Sequence, residues 1–177
     1  MTAPFTKLKI SSPVTDIDYH DVTLHTYGTG KISFLEISET IVNQLLQILP
    51  EYHRQFFKGT VMRISGPYIK PHTDSYRKVT INFYIKTNNA ITFFWKKKQP
   101  DIAEIQVAGQ TNGYTYDIKD LVTNGAFIAK PLDIWVLDVT EIHSVSTNGT
   151  DSERIAYSLS SNYYSYADTL EILGNLL

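Results

Sequence analysis

The stretch Pro71-His72-Thr73-Asp74-Ser75-Tyr76-Arg77 runs straight into Lys78-Val79-Thr80-Ile81-Asn82-Phe83-Tyr84-Ile85. Its second half alternates and is rich in β-branched and aromatic residues, the pattern of a strand half buried on a sheet. If the preceding strand ends near Asp74, His72 and Asp74 lie two positions apart in extended chain, and period-two geometry sends both side chains to one face. An imidazole and a carboxylate then share one space. That is the larger part of a two-histidine, one-carboxylate site for non-haem iron, whose remaining positions stay open. A His-x-Asp pair alone equally describes a solvated turn closed by a His–Asp hydrogen bond.

Composition narrows the chemistry. The 177 residues suit one domain spanning 1–177 with a sizeable core. Hydrophobic residues at 42% and charged residues at 19% describe an ordinary globule, and a net charge of -2 sets up no general field for nucleic acid. The absence of cysteine removes disulfide scaffolds, thiolate metal sites and thiol nucleophiles, so His, Asp and Glu must hold any metal. The start from Met1 to Lys7 lacks an apolar core of signal-peptide length and no segment approaches a membrane span, which gives a cytoplasmic expectation.

Upstream, Met1 to about Asp21 reads as an extended entry segment with an edge strand. Leu24 to Tyr27 and Lys31 to Ile37 read as strands joined by a glycine turn at Gly28-Thr29-Gly30. Ser38 caps a helix whose apolar residues Ile41, Val42, Leu45, Leu46, Ile48 and Leu49 recur at helical spacing until Pro50. His53 reads as a packed or surface histidine rather than a ligand, and His20 and His25 take no ligand role.

Downstream from Gly59 nearly everything reads as strand: Thr60 to Ser65, Tyr68 to Asp74, Lys78 to Lys86, Ala90 to Lys96, Tyr114 to Ile118, Gly125 to Ala129, Ile134 to Leu137, His143 to Ser146 and Arg154 to Ser160. Turn signals separate them, among them Gly66-Pro67, Asn88-Asn89, Asn112-Gly113, Asn124-Gly125 and Asn148-Gly149. Many short strands with such turns indicate a mainly β sandwich or barrel. Lys96, Lys97 and Lys98 beside Phe93, Phe94 and Trp95 read as a solvated loop at a strand end; the competing reading is a basic, stacking rim for nucleic acid. Asn148-Gly149-Thr150 reads as a turn. The segment from Ser165 reads as a short amphipathic helix folded back on its own domain, with support of a dimer as the alternative.

Past Trp135, a buried strand and turn lead to His143, which a sheet folding back on itself would bring beside His72 and Asp74. Arg154 opens a further apolar alternating strand, and a buried arginine needs a partner, a ligand carboxylate being one candidate.

The order His72-x-Asp74, a long gap, His143, then Arg154 resembles the Fe(II)- and 2-oxoglutarate-dependent dioxygenases, and most of all their prolyl hydroxylase group. The resemblance spans roughly 59–164 and implies a mainly β fold with supporting helices, the double-stranded β-helix or jelly-roll. It implies that His72, Asp74 and His143 hold Fe(II). It implies that Arg154 grips the distal carboxylate of 2-oxoglutarate and that Tyr84 donates its hydroxyl to the same group. Ser158 matches the later hydroxyl position of the prolyl hydroxylase group, whereas Ala156 occupies the offset used by other relatives. Arg77 is read as a substrate contact or a structural ion pair, and Trp135 as packing beneath the iron strands. The implied activity is hydroxylation of a C–H bond, prolyl or other amino-acid side chains included, on a small-molecule, peptide or protein substrate, with release of succinate and CO2. A nucleic-acid oxygenase, an idle ligand- or partner-binding β-helix and a cupin-type hydrolytic or isomerising metalloenzyme stand as alternatives.

Overall fold

A computed structural model describes residues 3–16, 20–27, 30–106, 113–147, 149 and 153–177. The turn at Gly28 and Thr29, Asn112, Asn148 with Thr150, and the side chains of His20 and His25 lie outside the described residues. The strands are β1 (Phe5–Ser11), β2 (His20–Tyr27), β3 (Gly30–Glu36), β4 (Lys58–Ser65), β5 (Tyr68–His72), β6 (Val79–Lys86), β7 (Ile91–Lys97), β8 (Ile105–Gln106), β9 (Tyr114–Thr115), β10 (Leu121–Ile128), β11 (Asp133–Asp138), β12 (His143–Ser146) and β13 (Glu153–Ser161). Helices α1 (Glu39–Leu46), α2 (Glu51–Arg54) and α3 (Tyr166–Ile172) complete the architecture. No helix among the described residues is long and apolar enough to cross a membrane.

The strands form two antiparallel sheets, ordered β1-β11-β6-β13-β4-β3-β2 and β10-β7-β12-β5-β9-β8. Within them, β11-β6-β13-β4 faces β10-β7-β12-β5, and the chain passes back and forth between the two quartets. That interleaved order defines a double-stranded β-helix, or jelly-roll. β1 extends the larger sheet as the edge strand expected of the entry segment, pairing with β11.

The strand order follows from side chains that alternate in kind. In β6, Val79, Ile81 and Phe83 point to one face, and Thr80, Asn82 and Tyr84 to the other. The apolar set joins Val61, Val136, Tyr157 and Leu159 in the main core, which α1 and α3 cover with Leu45, Tyr166 and Leu173. Each such side chain removed from water contributes about 1.5–3 kcal/mol. The polar set faces the space between the sheets. β6 is therefore buried on both faces from Val79 to Tyr84, where the sequence pattern suggested a half-buried strand. An enclosed interior hides its polar face as effectively as the core hides its apolar one.

Local signals match their elements. Ile41 N–H donates to Ser38 Oγ at 3.3 Å, which caps α1. The β6–β7 connection turns at Asn88 and Asn89, both with positive φ, a conformation that asparagine tolerates. Ser165 and Asp168 form a reciprocal capping box at the start of α3, and that helix packs on its own core. α1 ends at Leu46 rather than running on to Leu49.

Candidate metal centre

β5 and β12 are paired antiparallel with His143 opposite His72, so two residues far apart in sequence become cross-strand neighbours. Their ring centroids are 4.3 Å apart. β5 ends at His72, so Asp74 lies just beyond the strand rather than within it. The departing backbone is pinned by Thr73 N–H donating to the Tyr114 carbonyl at 3.0 Å and Asp74 N–H donating to the Val139 carbonyl at 2.9 Å. A Cβ at Gly113 would stand 2.0 Å from the Thr73 carbonyl oxygen, so only glycine lets the neighbouring segment close on this bend. One donor atom from each of His72, Asp74 and His143 lies within 4.8 Å of the other two.

The donor set fits a divalent metal. His72 Nδ1 is 2.8 Å from the Lys70 carbonyl and His143 Nδ1 is 2.9 Å from the Glu141 carbonyl. A carbonyl oxygen only accepts, so each ring carries its proton on Nδ1 and offers the Nε2 lone pair inward, the tautomer that ligation requires. His72 Nε2 stands 3.9 Å from Asp74 Oδ1. Two imidazoles and one carboxylate, with no sulfur, suit a first-row divalent metal.

Electrostatics keep His72 and Asp74 in ligating form. Burial, followed by the neighbouring His143, lowers the His72 pKa from 6.5 to about 3. Burial alone would raise Asp74, but the Arg77 guanidinium and then the two imidazoles outweigh it and hold the carboxyl below its ordinary range. The signs give a stability profile for the metal-free protein. Between pH 6.5 and about 3 the unfolded His72 binds a proton that the folded one refuses, so stability falls as pH falls through that window. The slope reaches at most about 1.4 kcal/mol per pH unit. Asp74 adds a contribution present above its unfolded pKa of 3.8 and lost as pH drops through its lower folded value. Urea titrations across pH should show the His72 slope, and His72→Gln should flatten it; an unchanged slope in that variant would contradict the assignment.

Arg77 forms an ion pair with Asp74 and lines the cavity. Its Nη2 stands 2.6 Å from Asp74 Oδ2, close in distance though not aligned as a hydrogen bond, and its guanidinium lies 5.1 Å from the Phe34 ring. It thereby holds the Asp74 oxygen that is not turned toward His72.

The same cavity is lined at its other end by Arg154, Tyr84, Ser158 and Thr92. Arg154 is 1% exposed, its Nη1 donates to Thr92 Oγ1 at 2.8 Å, and its guanidinium carbon lies 4.5 Å from the Tyr84 ring centroid. Its Nε has no hydrogen-bond partner, and no carboxylate pairs with it among the described residues. Tyr84 thus presents its ring to Arg154, while its hydroxyl sits 3.4 Å from Asn82 Nδ2. Ser158 donates to Asn82 Oδ1 at 2.8 Å. Both expected cosubstrate contacts therefore converge on Asn82.

The sequence reading missed Asn82 and Thr80, although period-two alternation back from Tyr84 would have placed both on the cavity face. Thr92, from the facing sheet, gave no signal. His53 is packed as expected, its Nδ1 2.7 Å from the Tyr164 hydroxyl. Trp135 stacks on Phe127 at 4.0 Å in an aromatic cluster with Phe5. The Lys96–Lys98 segment is not a loop, since Lys96 and Lys97 belong to β7. Lys97 pairs with Glu104 at 2.5 Å and Lys98 donates to the Lys119 carbonyl. Phe94 and Trp95 are buried, so they offer no stacking face beside these lysines.

No protein-family model matches the chain, and no curated protein matches it. Among solved structures it is similar in shape to EvdO2 from Micromonospora carbonacea var. aurantiaca complexed with 2-oxoglutarate, at 16% identity and a TM-score of 0.42, over 70% of this chain and 60% of that one. It is also similar to vicilin from Capsicum annuum, at 15% identity and a TM-score of 0.39, over 74% of this chain and 28% of that one. Momordica charantia 7S globulin aligns at 14% identity and a TM-score of 0.43, over 84% of this chain and 34% of that one. The chain thus spans between 28% and 60% of the length of these structures. The jelly-roll itself rests on the strand order described above.

Proposed function

We propose that the chain is an Fe(II)- and 2-oxoglutarate-dependent dioxygenase that hydroxylates a C–H bond. The observation that carries this reading is Arg154, a fully buried cation with no carboxylate partner among the described residues, lining the same cavity as the His72, Asp74 and His143 cluster. A buried charge left without a counter-ion costs several kcal/mol, roughly, so its persistence points to an anion that arrives with a ligand. A hydrolytic cupin gives Arg154 no such purpose.

In this reading His72, Asp74 and His143 hold the metal, and Arg154 receives the distal carboxylate of the cosubstrate through its planar fork. Bound Fe(II) with 2-oxoglutarate and O2 supplies the oxidising chemistry, which converts R–H to R–OH and releases succinate and CO2. Tyr84 backs the Arg154 guanidinium, and Asn82 with Ser158 offers polar groups along the cosubstrate's path. Arg77 keeps the Asp74 carboxylate oriented. The apolar walls Ile64, Ile69, Leu137 and Val145 limit water around the metal. The resemblance to the prolyl hydroxylase group puts prolyl or other amino-acid side chains forward as targets.

The test is an anaerobic titration of metal-free protein with Fe(II) and then 2-oxoglutarate, followed by visible spectroscopy. The reading expects the charge-transfer band of the chelate. Folded protein that binds Fe(II) without producing the band would favour the cupin-type alternative, and protein that binds no Fe(II) would favour the idle module.

A further inference from the structure

Beside the metal cavity lies a second concavity of about 450 Å³, within the roughly 300–1,000 Å³ range of small-ligand sites. It is assembled from the turn after α2, the start of β4, the bend carrying Tyr76 and Arg77, and the segment after β13. Arg77 lines both spaces. Ser160 of the groove pairs in the sheet with Thr80, which lines the metal cavity. Thr80 is 3% exposed, and its hydroxyl has no hydrogen-bond partner among the described residues. A chain lying in the groove would therefore reach the metal cluster past an unsatisfied hydroxyl.

The groove's chemistry is specific in kind. Tyr76 and Tyr163 rise from different segments and are each 61% exposed. Phe56 stacks on Tyr163 with ring centroids 4.5 Å apart and Tyr164 meets it edge-on at 4.9 Å, which stiffens a ring that stays largely exposed. Tyr52, 71% exposed, continues the row outward from Phe56. Lys58 makes no ion pair among the described residues, and no carboxylate lines the groove. The amides of Gln55 and Asn162 complete the wall.

We infer that this groove binds single-stranded nucleic acid and delivers one nucleotide to the metal, an inference that rests on the oxygenase reading above. Bases stack on Tyr163 and Tyr76, a phosphate meets Lys58, and the two amides face base edges. Thr80 takes a polar atom of the nucleotide that enters the cavity. The row of rings is longer than one base needs, which favours a strand over a free nucleotide. A peptide supplies neither a regular succession of planar rings nor a regular succession of anions. The stacking-plus-cation chemistry that the sequence suggested at Lys96–Lys98 is thus assembled here, from segments distant in sequence.

The test is fluorescence anisotropy with a labelled single-stranded oligonucleotide of about eight nucleotides at low salt, with neither metal nor 2-oxoglutarate added. We expect saturable binding that weakens roughly tenfold in Lys58→Glu and in Tyr163→Ala. Lys96→Glu should bind as the unaltered protein does. Absence of saturable binding overturns the inference, as does equal weakening by Lys96→Glu. So does displacement of the strand by uridine monophosphate or by an acidic aromatic peptide at equal concentration. Because iron is absent from the assay, strand binding without a charge-transfer band counts against the reaction class alone, and the band without strand binding counts against the groove alone.

Discussion

The His143→Ala protein is expected to fold normally and to lose Fe(II) by well over about 100-fold in affinity, since removal of an outer partner of a metal ligand already costs roughly 10–100-fold. His143 sits opposite His72 in the β5–β12 ladder, and an alanine there keeps every backbone hydrogen bond of the pair. What disappears is one inward-facing Nε2, which no other described histidine can replace, because His53 is engaged with Tyr164 on the far side of the larger sheet. Turnover should fall to background with the metal. Circular dichroism checks the fold, and equilibrium titration with Fe(II) or Mn(II) checks the site. The metal-free variant gives a second readout. His143 is one of the causes holding the His72 pKa down at about 3, so His72 should take up its proton at higher pH once that neighbour is gone. Unaltered metal affinity in this variant would remove His143 from the site.

Arg154→Met should separate the cosubstrate from the metal. The loss of a buried charged partner costs about 2–5 kcal/mol, and each 1.4 kcal/mol is tenfold, so the affinity for 2-oxoglutarate should fall by more than an order of magnitude. Fe(II) affinity should stay close to that of the unaltered protein, because Arg154 is not among the grouped donors. Arg154→Lys should restore little, since an ammonium cannot present two parallel donors to a carboxylate while keeping the contacts with Thr92 and the Tyr84 ring. The same methionine should leave the ligand-free protein at least as stable as before, because it fills much of the space of an arginine that has no counter-ion there. Isothermal titration with 2-oxoglutarate and thermal unfolding without it measure the two effects. An unchanged cosubstrate affinity would place the carboxylate on another cation.

The legible parts of this protein were those written locally. Turn residues and alternation marked most strands, and Ser38 and Pro50 bracketed the first helix. His72-x-Asp74, His143 and Arg154 could be ordered along the chain, and β5 and β12 indeed bring the first three together. For Tyr84 the ring contact with Arg154 was not legible, while its hydroxyl keeps the role that the resemblance implies. The reason is geometric, since strand position fixes the side of the sheet a residue faces but not the rotamer in which it meets a neighbour. Asn82 went unread because an amide within an apolar strand resembles an ordinary sheet residue until Ser158 is seen to donate to it. The mouth groove was illegible for a stronger reason. Its walls come from residues near 55, 76 and 162, and no local pattern tells that these segments meet.

The inward and outward faces of β6 and β13 have a consequence for how such a protein changes over generations. Each strand carries two interleaved messages. Val79, Ile81 and Phe83 belong to the main core, while Thr80, Asn82 and Tyr84 line the cavity, Tyr84 also packing with Phe94 and Phe127 in a smaller core. Variation at Thr80 and Asn82 can therefore reshape the cavity at little cost to the main core, and variation at the odd-numbered positions of β6 can adjust stability with little effect on the cavity lining. A lineage built on this sheet can alter what the cavity holds and the temperature it withstands as largely separate problems, with Tyr84 the point where the two meet.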